Sequence, residues 1–200
     1  MGATRPRLGV LGGSFDPPHL GHLAIASEAF HAQQLERVLF VPAAAPPHKG
    51  EGERTAAATR LELTSLAIEG DPRFATSGVE IERGLVYTAD TLHALGQRYG
   101  GHDLVFIMGS DSLLQLETWH EPDDLLSICT LAVAARPGDD PAAIAAAVSR
   151  WGPGRVAQLD APALDLSSSG IRVRVRRGRP ISYLVPRRVE QYILESGLYR

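Results

Sequence analysis

Two histidines, His19 and His22, stand three residues apart behind a glycine pair in the stretch LGVLGGSFDPPHLGH, Leu8 to His22. Imidazoles at that spacing share one face of the first turn of a helix, and Gly21 between them leaves the approach open. Hydrogen bonding to a polyphosphate suits such a pair. Metal ligation is the rival, but it needs a third ligand, and no HExxH or CxxC accompanies the two. Gly12 and Gly13 favour phosphate, because a backbone without Cβ lets an anion come close. Neither GxGxxG nor GxxxxGK[ST] is present, which tells against a dinucleotide-dependent hydride carrier and a P-loop. Two surface histidines capping a helix are the plainer alternative, weakened by the glycines and Asp16 alongside.

The surrounding elements must hold those imidazoles at a sheet edge. Leu8 to Leu11 is a short apolar run of the kind a strand buried on both faces shows. After Gly12-Gly13 and the prolines 17 and 18, a helix starts near His19, with Leu20, Leu23, Ser27 and Phe30 on one stripe. Arg37 to Val41 is a second strand, so the unit is βαβ with a right-handed crossover. Residues 43–54, AAAPPHKGEGER, form a Pro- and Gly-rich loop carrying His48 and Lys49.

A helix is expected from Thr55 to Glu69, then a short strand from Phe74 to Glu82 with Val79 and Ile81 inward. Tyr87 opens a helix with Thr88 as its N-cap. Asp103 to Met108 is a central strand ending in Gly109-Ser110-Asp111, and ligands collect at such ends. Trp119 follows a short helical stretch and suits the core as well as it suits a ligand. A strand at Leu131–Ala135 leads to Arg136-Pro137-Gly138, then come a helix from Pro141 to Arg150 and a strand at Val156–Leu159. Leu166 to Arg176 is ambiguous: alternating Ile/Val and Arg read as a strand, while Ser167 to Ser169 read as a helix start. Pro186 at N1 leads into a closing amphipathic helix with Val189, Tyr192, Ile193 and Leu198.

The chain has 200 residues and one cysteine, Cys129. That length suits a single domain spanning 1–200, and a lone thiol excludes an internal disulfide. The opening MGATRPRLGV lacks a secretory apolar region, and no run is long enough to span a bilayer, so a cytoplasmic location is expected. Net charge is −3, yet Ile171 to Arg200 holds eight Arg and two Glu, or +6, leaving −9 elsewhere. A basic segment of that kind suits nucleic acid or a small polyphosphate. No nucleic-acid module accompanies it, so no nucleic-acid or membrane partner is expected.

GGSFDPPHLGH resembles the HxGH signature of the nucleotidyltransferase superfamily. PPHKG at 46–50, YTADTL at 87–92, MGSDSL at 108–113 with Trp119, RPG at 136–138, LSSSGIR at 166–172 and YLVPRRVEQYILESGLY at 183–199 resemble the bacterial nicotinate mononucleotide adenylyltransferases. The resemblance implies an α/β fold, a Rossmann-like doubly wound parallel sheet flanked by helices, with a C-terminal helical segment. It also decides 166–176 as helix. The implied reaction joins ATP to nicotinate mononucleotide, giving deamido-NAD and pyrophosphate, with Mg²⁺ carried by ATP and no dedicated metal cage.

Implied catalytic residues are His19, His22 and Arg172. The implied ATP contacts are Gly12, Gly13, Ser14, Phe15, His19, His22, Lys49, Gly109, Asp111, Ser168, Ser169 and Arg172. For the mononucleotide they are Ser14, His48, Tyr87, Thr88, Trp119 and Arg136. A homo-oligomer is compatible with all of this. The chain departs from the family in having Ser14 and Ser169 where Thr is frequent, and Gly170 where a larger residue is usual. Phosphopantetheine adenylyltransferase and a non-catalytic nucleotide sensor on the same fold are the alternatives.

Overall fold

The computed structural model describes residues 5–44, 55–135, 138–162 and 164–200. The strands are β1 (Arg7–Gly13), β2 (Leu35–Pro42), β3 (Phe74–Thr76), β4 (Asp103–Gly109), β5 (Cys129–Ala134) and β6 (Val156–Leu159). They form one sheet in the order β3-β2-β1-β4-β5-β6, every neighbouring pair parallel. The chain winds outward from β1 to β3, then returns to lay β4 beside β1, with Leu11 opposite Ile107. That reversal opens a crevice at the carboxyl ends of β1 and β4, the place where such sheets bind ligands.

Alternation along the strands divides the core into two layers. Leu8, Val10, Leu104, Phe106 and Met108 face one side and pack with α3 (Val79–Arg83), α4 (Thr88–Arg98), α5 (Ser110–Leu114), α6 (Pro122–Ile128) and α7 (Pro141–Trp151). Leu11, Val38, Phe40, Val105 and Ile107 face the other and pack with α1 (Leu20–Ala32), α2 (Ala57–Ile68), α8 (Ser168–Arg176) and α9 (Arg187–Ser196). Each fully buried Leu, Ile or Phe contributes about 1.5–3 kcal/mol of transfer free energy, so both layers are substantial. No helix among the described residues is long and apolar enough to cross a membrane.

Several expectations need correcting. The strand over 74–82 stops at Thr76, and 79–83 is the helix α3. Val79 is buried as expected, but Ile81 is only partly so. Gly84 explains the difference: its φ of 65° provides a left-handed helix stop, and Glu82 N–H donates to Gly78 O at 2.8 Å. Helix α6 was not anticipated, although Pro122 at its start and Asp123 and Asp124 in its first turn are ordinary initiation signals. The caps of α4 and α9 are Tyr87 and Pro186, one residue before the expected Thr88 and one before the helical position foreseen for the proline. Leu198 lies past the Gly197 stop of α9. Residues 168–176 are helical, with Ile171 fully in the core.

Candidate active site

Gly12 and Gly13 are the last residues of β1 rather than a turn. The turn comes after them, and its left-handed residue is Phe15, with φ 45° and no exposure. That conformation is costly for a side chain with Cβ, and burial of the ring offsets it. Phe15 meets His22 edge-on at 5.0 Å and Phe40 at 5.7 Å. A Cβ on Gly13 would come within 3.3 Å of the Phe15 ring, and one on Gly12 within 3.4 Å of Phe106. Both glycines therefore make room for rings. The peptide joining Asp16 to Pro17 is cis.

His19 is the N-cap of α1 and His22 its third residue. The His19 backbone N–H donates to His22 Nδ1 at 3.1 Å, and the two rings stack at 3.7 Å with 27° between planes. With Nδ1 accepting, the proton of a neutral His22 ring sits on Nε2, so that nitrogen is the donor. A Cβ at residue 21 would lie 3.0 Å from His19 Nδ1 and press on that ring.

The serine triplet and Arg172 reach the same loop. Ser167 caps α8, its hydroxyl accepting from Gly170 N–H at 3.1 Å. A Cβ on residue 170 would sit 3.1 Å from that hydroxyl and crowd it. Ser168 Oγ donates to Pro17 O at 2.8 Å, and Arg172 Nη1 donates to Asp16 O at 2.7 Å. Arg172 Nη2 donates to Ser169 Oγ at 3.2 Å. The Asp16 carboxylate is buried. One oxygen accepts from Tyr199 OH at 2.7 Å, and the other lies 3.8 Å from Arg172 Nη1. Burial first, and the Asp16 carboxylate second, push the Tyr199 phenol above its ordinary value, so it stays a donor. The starts of α1 and α8 are thus tied together across some 150 positions of sequence. Of the other C-terminal arginines, Arg174 donates to Pro180 O and Arg188 pairs with Glu69, while Arg176, Arg177 and Arg179 are exposed.

A separate aromatic cluster lies at Tyr87, Trp119 and His120. Tyr87 stacks on His120, the residue after Trp119, at 4.1 Å and is half exposed. Trp119 is partly buried and meets Phe106 edge-on at 6.2 Å, so it is at once core packing and a surface. Gly109 caps α5, with Asp111 exposed in its first turn. Ser110 is buried and donates to Asp139, tying the end of β4 to the residues after Gly138. His48, Lys49 and Arg136 lie outside the described residues.

Sequence reasoning overlooked Arg60, Glu80 and Tyr199. Arg60 left a usable signal: a charge on the stripe shared with Leu63, Thr64 and Ala67, all buried. Among the described residues no three of His, Cys, Asp and Glu converge as a metal site would require.

The family model described as cytidylyltransferase-like matches residues 10–174. A protein of Thermomicrobium roseum named probable nicotinate-nucleotide adenylyltransferase is 46% identical over 197 residues, covering 97% of this chain and 92% of that one. A protein of the same name from Exiguobacterium sibiricum is 44% identical over 197 residues, covering 96% and 98%. Among solved structures, Plasmodium falciparum nicotinic acid mononucleotide adenylyltransferase complexed with NaAD shares the fold at TM-score 0.81, with 18% identity over 97% of each chain. With an HxGH loop joined to a serine-capped arginine helix at the crevice of a doubly wound sheet, the chain belongs to the nicotinate-nucleotide adenylyltransferase family.

Proposed function

We propose that residues 1–200 act as one domain that transfers the adenylyl group of ATP to nicotinate mononucleotide, releasing pyrophosphate and deamido-NAD. A phosphate oxygen of the mononucleotide attacks the α-phosphorus of ATP in line. The bond from that phosphorus to the oxygen bridging to the β-phosphate breaks, and pyrophosphate leaves. A phosphate monoester is already nucleophilic near neutral pH, so the protein supplies positioning and charge stabilisation.

His22 donates from Nε2 to the transferred phosphoryl group, with His19 stacked behind it. Arg172, Ser168 and Ser169 hold the β- and γ-phosphates. A guanidinium has five N–H donors, so the bonds to Asp16 and Ser169 orient the fork without exhausting it. Gly12, Gly13, Ser14 and Phe15 form the floor under the nucleotide, Gly109 and Asp111 its far wall, and Lys49 a further phosphate contact. Trp119 stacks on the pyridine ring. The N–H groups at Tyr87 and Thr88, at the start of α4, receive the nicotinate carboxylate, with Ser14, His48 and Arg136 completing that half. Mg²⁺ enters with ATP. The expected setting is cytoplasmic, with small-molecule partners, no nucleic acid or membrane, and room for a homo-oligomer.

The single observation that supports this is the pair of bonds from Ser168 to Pro17 and from Arg172 to Asp16, which join the serine-capped arginine helix to the loop that leads into the histidine pair. Pyrophosphate release from ATP, measured with nicotinate mononucleotide, nicotinamide mononucleotide and phosphopantetheine in turn, tests it. The expected order puts the nicotinate acceptor first. Fastest release with phosphopantetheine, or none with any acceptor, contradicts it.

A further inference from the structure

Arg60 is 2% exposed, although burying a guanidinium is expensive unless its donors are used. Here they are used on backbone carbonyls from three separate stretches. Nε donates to Thr55 O at 3.1 Å, Nη1 to Ser14 O at 2.9 Å, and Nη2 to Ala43 O at 2.5 Å and Ala44 O at 3.3 Å. Ser14 belongs to the loop that carries His19, Ala43 and Ala44 follow β2, and Thr55 precedes α2. From the other side, Ala44 N–H donates to Glu80 Oε2 at 3.2 Å, while Glu80 Oε1 accepts from Thr91 Oγ1 at 3.0 Å. Burial pushes the Glu80 carboxyl above its ordinary range, and the bonds from Thr91 and the Ala44 N–H, with the Arg60 charge last, offset only part of that.

We infer that Arg60 is a positioning residue of the reaction, fixing the Ser14 end of the histidine loop to Ala43, Ala44 and Thr55 at once. This rests on the adenylyl-transfer reading above. The residues between Ala44 and Thr55 include His48 and Lys49, so the two ends of the stretch that supplies Lys49 are held by the group that also holds the β1 loop. Only a planar fork serves carbonyls in these separate directions; a lysine offers three donors from one nitrogen.

The test is a double-mutant cycle on kcat/KM for ATP, with nicotinate mononucleotide as acceptor, using Arg60→Lys and Lys49→Ala. Arg60→Lys is expected to lower kcat/KM at least tenfold. Lys49→Ala is expected to cost at least fivefold less in the Arg60→Lys background than in the wild type, which a merely structural role of Arg60 would not produce. Independent penalties that multiply, or a Lys49→Ala without penalty in the wild type, overturn the inference and leave adenylyl transfer standing. Should Arg60→Lys not fold by circular dichroism, Glu80→Ala releases the same segment from its other side, and multiplying penalties there overturn it equally. A wild type that releases no pyrophosphate overturns the functional reading itself, and the inference with it.

Discussion

Tyr199 donates its phenolic hydrogen to the buried carboxylate of Asp16 at 2.7 Å, joining positions 183 residues apart in the loop that carries the histidine pair. The same aspartate receives Arg172 at its backbone oxygen, so the phenol and the guanidinium converge on one residue. Tyr199→Phe keeps the ring and removes the donor. A hydrogen bond to a charged group contributes about 1.5–3 kcal/mol, and a loss of that size is expected in urea unfolding. The KM for ATP is expected to rise with it, measured by initial rates. An unchanged KM would separate Tyr199 from the phosphate half of the site.

His22→Ala removes the Nε2 donor together with one local bond at the start of α1, the Nδ1 acceptor of the His19 N–H. It is expected to lower kcat by about two to three orders of magnitude, the range for one donor to a developing charge, with a circular dichroism spectrum like the wild type. Wild-type turnover would remove the residue from the mechanism.

Gly170→Ala sets two local effects against each other. Alanine improves helix propensity by up to about 1 kcal/mol, whereas its Cβ crowds the Ser167 hydroxyl at 3.1 Å, and losing such a cap costs about 0.5–2 kcal/mol. Global stability is expected to shift little in thermal unfolding, while the KM for ATP rises because Ser168 and Ser169 open that same turn.

Cys129 is buried, and desolvation pushes its thiol up to about 12 from an ordinary 9.0. The folded protein keeps this proton where the unfolded chain has lost it. Its contribution to stability is therefore complete below about pH 9 and lost as pH rises from 9 towards 12. A colourless-disulfide thiol reagent at pH 8 is expected to label the protein only after denaturation, and rapid native labelling would contradict this burial.

Much of the fold could be read from local pattern, because strands buried on both faces and glycine or proline stops leave strong marks. Leu8 to Leu11 and Asp103 to Met108 are such strands, and the sheet reverses between them. Residues 79–83 went wrong because two apolar residues in alternation cannot distinguish a strand from one helical turn, and Gly84 was the deciding signal. The histidine pair and the serine triplet stood out in the sequence as candidates for holding an anion. Their meeting was not, since it depends on bonds from Ser168 and Arg172 across some 150 positions. The left-handed Phe15 was hidden behind two glycines that looked like the turn. Arg60, Glu80 and Tyr199 escaped for a related reason: each acts on backbone or on a buried partner far away in sequence.

The most direct test of the central claim is a crystal structure with a non-hydrolysable ATP analogue and Mg²⁺. The α-phosphate is predicted within hydrogen-bond distance of His22 Nε2, with the β- and γ-phosphates on Arg172 and the hydroxyls of Ser168 and Ser169. A triphosphate bound elsewhere, or touching the histidines but not Arg172, would contradict it.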